Sequence, residues 1–302
     1  MCFEDSSAVK LLRAATLSVA DPIATARRYV EWFDYRIVED GQIDGGLAAS
    51  WGAPGACNRR CVTLTPASGA DVYLRFVGGD SVETYEPLRT FGWSALELCV
   101  QDVLAVNERM RRSPFEIIGP PREIDGLPAI FPMQVMGPDR EIVYLTQIRS
   151  DLPAFDLPRA QSFVDKLFIL VIACSDLDTS LAWFERQTRL ALGRKMDIVY
   201  TMLAKSFGLP PADLHTIATL THGRDVFLEL DQYPRAATQR PARPGELPPG
   251  IGIATLKHPE FEQLTGPWIQ PPTERSGVIY QGRRAGTKRA PDGTLLELVA
   301  SD

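Results

Sequence analysis

The sequence predicts an α+β fold built from four strand–helix–strand–strand–strand modules. Four apolar, strand-like segments recur along the chain, and a helical pattern directly follows the first three of them. Four other segments combine a turn with strict alternation of apolar and polar residues, which is typical of a half-buried strand. The two kinds of segment alternate along the chain. We therefore expect a repeated module that must pair with another module to bury its face.

The segments of the first kind end in an acidic residue or a proline, which signals the start of a helix. Asp21 suits the N-cap and Pro22 the first helical position of the first helix. The fourth module is the least regular, with only a short helical signal around PEFEQLT. The four segments are AATLSVADP (14–22), ALELCVQDV (95–103), ILVIACSDL (169–177) and GIATLKHPE (252–260).

The segments of the second kind are predicted to be the last strand of each module. They are GADVYLRFV (69–77), DREIVYLTQI (139–148), GRDVFLELD (223–231) and DGTLLELVA (292–300). The segments 59–67, 133–137 and 215–221 are further strand candidates between them.

Two proline-rich segments divide the modules. Residues 149–160 lie between the second and third modules, and we expect them to join two domains, 1–150 and 161–302. Each domain would contain two modules paired into a curved-sheet half-barrel. Residues 233–250 would either connect the third and fourth modules or cover the mouth of a cavity.

Composition limits the classes of function. The chain has 302 residues and a net charge of −6, with no basic block, so neither nucleic acid nor a membrane surface is an expected partner. The opening MCFEDSSAVK does not resemble a secretion signal, and five cysteines do not indicate a disulfide framework. We expect a cytoplasmic protein whose partner is a small molecule. A homodimer is an open alternative to a monomer.

These patterns resemble the vicinal oxygen chelate superfamily, which includes glyoxalase I, bleomycin-resistance proteins and extradiol dioxygenases. The first strands that end in LSVAD and LCVQD and the last strand PDGTLLELV carry the resemblance. It implies βαβββ modules that pair around a cavity. It also implies that Glu297 occupies a metal-ligand position, whose counterparts in the other modules are Arg75, Tyr144 and Glu229.

The chain departs from the family at the other ligand positions. The family usually places His or Gln seven residues before the Asp that ends the first strand, and this chain has Ala14, Ala95, Ile169 and, by analogy, Gly252 there. None of these side chains binds a metal. A divalent metal (Fe, Mn, Zn or Ni) is therefore not expected, although Glu229 and Glu297, with His215, remain candidate ligands.

Strand periodicity assigns the side chains that face a cavity in the N-terminal half. Arg75 could bind a substrate carboxylate or polarise a carbonyl, with Glu97 or Tyr144 as the general acid or base. Alternatively, Arg75 and Glu97 form an internal ion pair that stabilises the fold. Substrate-binding candidates around them are Thr16, Ser18, Trp93 and Thr146, of which Trp93 could instead belong to the core.

In the C-terminal half, the same periodicity places Phe227, Glu229 and Asp231 on one face, and Glu297 with Leu295 and Val299 on another. The facing first strand offers only apolar side chains. Two carboxylates against an apolar wall repel each other, so one must stay protonated unless a metal or a basic side chain such as Lys288 joins them.

Three hypotheses of function follow. The first is a glyoxalase- or dioxygenase-like enzyme that acts on a small carboxylated or aromatic molecule by metal-independent acid–base chemistry. The second is a divergent metalloenzyme that uses Glu229 and Glu297. The third is a protein that binds a small molecule without catalysis, as bleomycin-resistance proteins do.

Overall fold

The computed structural model describes residues 11–301, which form four successive modules. Cys2 and the MCFEDSSAVK segment lie outside the described residues. The first module contains β1 (Leu12–Val19), α1 (Pro22–Phe33), β2 (Arg36–Gln42), α2 (Gly45–Ser50), β3 (Arg60–Thr65) and β4 (Tyr73–Gly78). The second contains β5 (Gly92–Val100), α3 (Val103–Met110), β6 (Glu116–Gly119), β7 (Ile130–Met136) and β8 (Ile142–Ile148).

The third module repeats this order and the fourth shortens it. The third contains β9 (Val164–Cys174), α4 (Leu177–Thr188), β10 (Ala191–Val199), α5 (Thr201–Ser206), β11 (Leu214–His222) and β12 (Asp225–Gln232). The fourth contains β13 (Gly250–His258), β14 (Thr273–Glu274), β15 (Arg284–Arg289) and β16 (Leu295–Ala300). In place of the long helix it has a single 3₁₀ turn, Phe261–Gln263, which agrees with its weak helical signal.

The three long helices begin where the sequence predicts. Asp21, Asp102 and Asp176 are their N-caps, and each side chain accepts a hydrogen bond from a backbone N–H of the first turn. Such a bond satisfies a donor that would otherwise have no partner at the start of a helix. The Val-x-Asp ending of the first strands therefore serves to start the following helix.

The strands form two eight-stranded sheets, each built from two modules. Sheet 1 has the order β14-β15-β16-β13-β1-β4-β3-β2, and sheet 2 has the order β10-β11-β12-β9-β5-β8-β7-β6. In sheet 1, β1 pairs antiparallel with β13. In sheet 2, β5 pairs antiparallel with β9. The first module therefore pairs with the fourth, and the second with the third.

This topology corrects the expected pairing of the first module with the second and of the third with the fourth. Residues 1–150 and 161–302 each supply half of both sheets. Segment 149–160 connects β8 to β9 inside sheet 2, whereas 233–250 carries the chain from sheet 2 back to sheet 1. The first strands of all four modules offer similar backbone edges, so strand patterns alone do not select which two modules pair.

One large core joins the two sheets and the long helices. It contains the inward side chains of β1, β4, β5, β8, β9, β12, β13 and β16 together with those of α1, α3 and α4. The Tyr35 hydroxyl donates to the Asp165 carbonyl oxygen at 2.7 Å, and Trp93 Nε1 donates to the Leu295 carbonyl oxygen at 2.8 Å. The opposite face of each sheet is left to form a site. No helix among residues 11–301 is long and apolar enough to cross a bilayer.

The topology predicts how fragments of the chain fold. Fragment 1–150 lacks β13 and β9, the antiparallel partners of β1 and β5, so it should unfold without a cooperative transition. Fragment 86–240 contains all of sheet 2 and should keep more secondary structure. Circular dichroism during urea titration measures both. Cooperative unfolding of fragment 1–150 alone, with none for 86–240, would contradict the pairing.

Candidate functional site

The concave face of sheet 1 is filled by side chains. Trp51, which follows α2, is fully buried there, and Tyr280 from the loop before β15 is 3% exposed. Apolar residues from β1, β4, β13 and β16 pack around both rings. This face leaves no room for a ligand of appreciable size.

A hydrogen-bonded ion pair lies at the centre of this filled face. Glu297, 1% exposed, accepts from Trp51 Nε1 at 2.8 Å and from Thr255 Oγ1 at 2.8 Å. Its Oε2 lies 3.4 Å from Nη2 of Arg75. The Tyr280 hydroxyl lies 3.0 Å from Glu297 Oε1 and accepts from Arg75 Nη1 at 2.7 Å. The carboxylate is thus paired with a cation and bonded on both oxygens.

Arg75 is held equally firmly. Its Nε donates to Thr16 Oγ1 at 2.9 Å, and its guanidinium lies 4.6 Å from the centroid of the Trp51 ring. Burial acts to lower the pKa of Arg75, but the Tyr280 hydroxyl and the Glu297 carboxylate outweigh burial and raise it. Arg75 therefore stays charged, and each of its three nitrogens already donates a hydrogen bond within sheet 1.

The concave face of sheet 2 encloses a cavity of about 530 Å³. This volume lies in the range of small-molecule sites. Aliphatic and aromatic side chains form most of its wall. Examples are Phe168 on β9, Ile217 on β11 and Val226 on β12. The segment after β6 and the segment around α5 complete the wall.

Two carboxyl groups line this cavity, and a third lies next to them. Glu97 and Glu229 line the cavity, and Asp231 follows Glu229 on the same face of β12. Burial raises the pKa of Glu97 to about 8, and the Glu229 carboxyl adds to the rise, whereas a 2.6 Å hydrogen bond from Thr146 Oγ1 opposes it. Burial raises the pKa of Asp231 to about 7. Burial and Asp231 hold the pKa of Glu229 well above its ordinary range.

Two tyrosines stand beside the carboxyls. The hydroxyl groups of Tyr144 and Tyr200 share a short hydrogen bond, and both side chains line the cavity. Burial raises the pKa of each hydroxyl, and the Asp231 carboxyl adds to the rise. The His215 ring packs edge-on to Tyr200, with a centroid distance of 6.3 Å. Burial lowers the pKa of His215, so a neutral ring is favoured. The cavity is thus lined by carboxyl and tyrosine hydroxyl groups whose raised pKa values favour their protonated forms.

Solved structures share this architecture over nearly the whole chain. A variant of glyoxalase I from Zea mays matches with a TM-score of 0.64 and 17% identity, over 96% of this chain and 93% of that chain. A putative dioxygenase from Bacillus subtilis matches with a TM-score of 0.61 and 11% identity, over 96% and 85%. The chain has the vicinal oxygen chelate fold. No family model and no curated protein matches its sequence.

The vicinal oxygen chelate fold implies a divalent metal, but the donor set does not fit one. The last-strand ligand positions of sheet 2 hold Tyr144 and Glu229, and the Tyr144 hydroxyl is bonded to Tyr200. Those of sheet 1 hold the ion-paired Arg75 and Glu297. Between residues 11 and 301, no three His, Cys, Asp or Glu side chains are grouped so that they could hold a metal ion.

The prediction of strand faces is confirmed with one exception. Arg75, Glu97, Tyr144 and Glu297 all point to the concave faces, away from the shared core. Phe227 was expected beside Glu229 but belongs to the core. An irregularity in the pairing of β11 with β12, between Leu220 and Thr221, shifts the register at this point, so strict alternation fails there.

The predicted grouping of site residues is wrong, because the modules pair differently. Arg75 lies in sheet 1, so it cannot share a pocket or an ion pair with Glu97 and Tyr144 in sheet 2. For the same reason Glu229 and Glu297 do not form one metal site with His215. The cation that joins Glu297 is Arg75.

The substrate-binding candidates separate in the same way. Trp93 is 1% exposed within the shared core and does not line the cavity. Thr16 bonds Arg75 in sheet 1, and Ser18 lies in a shallow depression beside Asp80 and Arg243. Thr146 is the candidate that reaches the second site, where it bonds Glu97.

Tyr200 was missed from the sequence because it lies just before a short helix that no pattern indicated. The alternation of β12 did place Asp231 beside Glu229, but that pattern gave no sign of a three-carboxyl cluster. Glu97 joins the cluster only because β5 and β9 are neighbours in sheet 2.

The same substitution at the two equivalent glutamates should change the free energy of unfolding by very different amounts. Glu297→Gln should lower the free energy of unfolding by about 3–5 kcal/mol, because it leaves the Arg75 charge buried without its partner. Glu229→Gln should change it by less than about 1 kcal/mol, because burial beside Asp231 raises the Glu229 pKa and favours the neutral carboxyl, which the amide resembles. Urea titration measures both. Equal losses in the two variants would contradict the assignment of the sites.

The carboxyl cluster also predicts how stability depends on pH. The Glu97 pKa is raised from 4.5 to about 8, so between these values the native protein holds a proton that the unfolded chain has released. The free energy of unfolding should therefore fall as pH rises from about 4.5 to 8. Glu97→Gln should reduce this slope by up to about 1.4 kcal/mol per pH unit. Exposed Glu83→Gln is the control. A wild-type slope in Glu97→Gln would rule out this protonation.

Proposed function

We propose that the protein is an enzyme that performs acid–base chemistry on a small, largely apolar molecule bound in the sheet 2 cavity. The observation that carries the proposal is that Glu97 and Glu229 line a largely apolar cavity, with Asp231 behind them. Glyoxalase I and a putative dioxygenase share the fold, which supports a reaction of the same general kind on a small substrate.

Glu97 is the group we assign to proton transfer. It lines the cavity, its pKa of about 8 lies near neutral pH, and such a group can both donate and accept a proton under working conditions. Thr146 orients its Oε1 through the 2.6 Å hydrogen bond. The Tyr144 hydroxyl, which is bonded to Tyr200, is placed to polarise an oxygen of the substrate.

The cavity favours an aromatic or aliphatic substrate over a small carboxylate. Arg75 does not support carboxylate recognition, because it is buried in sheet 1, paired with Glu297, and does not line the cavity. The carboxyl cluster would repel an anion placed next to it. Burial of an apolar body against the wall contributes roughly 25 cal/mol for each Å² removed from water.

Binding without catalysis is the second candidate function. The observation that favours it is the cavity wall itself, in which apolar side chains predominate over proton-transfer groups such as Glu97 and Tyr144. A protein that sequesters a hydrophobic molecule needs no more than this.

One experiment tests the site and separates the two functions. Calorimetry screens small aromatic carbonyl and phenolic compounds for binding, and mass spectrometry then checks whether bound compounds are converted. Glu97→Gln should keep the affinity for these uncharged compounds within about threefold while lowering turnover by about 10²–10⁴-fold. Met196→Trp should obstruct the cavity and weaken binding, because Met196 lines it.

Lys195→Trp is the matched control, because Lys195 is the adjacent residue of β10 and points to Asp178, with Nζ 2.5 Å from Oδ1. Equal effects of Met196→Trp and Lys195→Trp would exclude this cavity as the binding site. Binding that continues without any conversion would favour sequestration. Wild-type turnover by Glu97→Gln would remove Glu97 from the mechanism.

A further inference from the structure

The carboxyl cluster of sheet 2 has no internal cation. The ionisable groups that raise the pKa values of Glu97, Glu229 and Asp231 are these same three carboxyls. Among residues 11–301, no Arg, Lys or His forms an ion pair with any of the three. Buried charges are normally paired, so these carboxyls can ionise together only if a cation comes from outside the chain.

An unsatisfied atom points to the same conclusion. Oδ1 of Asp231 is buried and has no hydrogen-bond partner, although the residue is only 1% exposed. A buried polar oxygen without a partner is unfavourable. Asp231 adjoins Glu229, which lines the cavity, so its carboxyl adds negative potential next to the cavity whenever it ionises.

Sheet 1 shows what the missing partner would do. Arg75 on β4 faces Glu297 on β16 and supplies the cation. The equivalent places in sheet 2 hold Tyr144 on β8 and Glu229 on β12. Tyr144 brings a hydroxyl where sheet 1 has a guanidinium, so sheet 2 keeps the acidic half of the arrangement without the basic half.

The rest of the cavity wall indicates what the remainder of the ligand is. The wall beyond the carboxyls is apolar and suits a hydrocarbon or aromatic body. Apart from Glu97 and Glu229, the charged residues of the lining balance in number, so they create no net barrier to a cation. They are Arg122, Arg194 and Lys205 against Glu123, Asp125 and Asp197.

We propose that the sheet 2 cavity selects hydrophobic amines, in which one ammonium group lies beside Glu97 and Glu229, with Asp231 behind them, and an apolar body fills the cavity. This inference rests on the proposed function, because it names the substrate class of the same cavity. The ammonium would take the part that Arg75 takes in sheet 1. Short N–H···O bonds to a carboxylate in a buried site are among the strongest that proteins form.

Calorimetry with matched probes tests the inference. The probes are 2-(1-naphthyl)ethylamine and 2-(1-naphthyl)ethanol, which share an aromatic body and differ in the cationic group. The amine should bind wild type at least about tenfold more tightly than the alcohol. Glu229→Gln and Asp231→Asn should each reduce this preference to less than about threefold, while the alcohol affinity stays nearly constant. Glu141→Gln, a buried carboxyl outside the cavity, should preserve the preference.

Tyr144→Arg is a second variant that keeps the test decisive if a carboxyl variant does not fold. It places an internal cation beside Glu229, as in sheet 1, and should abolish amine binding. Equal affinities of wild type for the two probes would overturn the amine class and leave the cavity intact. Stoichiometric binding of Mn²⁺ or Zn²⁺ that displaces the amine would also overturn it. Failure of both probes to distinguish wild type from Met196→Trp would instead reject the cavity and the proposed function.

Discussion

The antiparallel pairing of first strands determines everything that the two concave faces can do. Because β1 pairs with β13, Arg75 and Glu297 meet on one face. Because β5 pairs with β9, Glu97 lies beside Glu229 on the other. The alternative pairing of modules in chain order would place Arg75 with Glu97 and Glu229 with Glu297. Each face would then have a different charge balance and a different chemistry.

The two faces show two ways of burying a carboxyl at equivalent places. In sheet 1 the carboxylate is paired with Arg75 and bonded by Trp51, Thr255 and Tyr280, so the ion pair is satisfied and the space is filled. In sheet 2 the carboxyls lack a cation and stay protonated in part, and the space remains open. Burial favours protonation when no partner is present. The face of sheet 1 thus contributes stability. The face of sheet 2 instead holds protonatable carboxyls next to a cavity.

The sequence predicted the modules, the helix starts and most side-chain faces, because these depend on local rules. N-caps such as Asp21 and the two-residue period of β4 act within a few residues. The partner of each module depends instead on contacts between strands far apart in the chain, such as Glu97 with Glu229. A single sequence carries no local signal for those contacts. Phe227 was misplaced because a register shift in the pairing of β11 with β12 interrupts strict alternation, and Tyr200 was missed because no pattern indicated the short helix α5.

Of the two equivalent glutamates, Glu297 is paired with Arg75, whereas Glu229 has no cation and burial raises its pKa. Infrared spectroscopy measures this directly, since a protonated carboxyl has its own carbonyl stretch, separate from the carboxylate bands. At pH 7 the wild type should show this band, Glu229→Gln should weaken it, and Glu297→Gln should leave it unchanged. Loss of the band in Glu297→Gln, or a wild type without the band, would contradict the account.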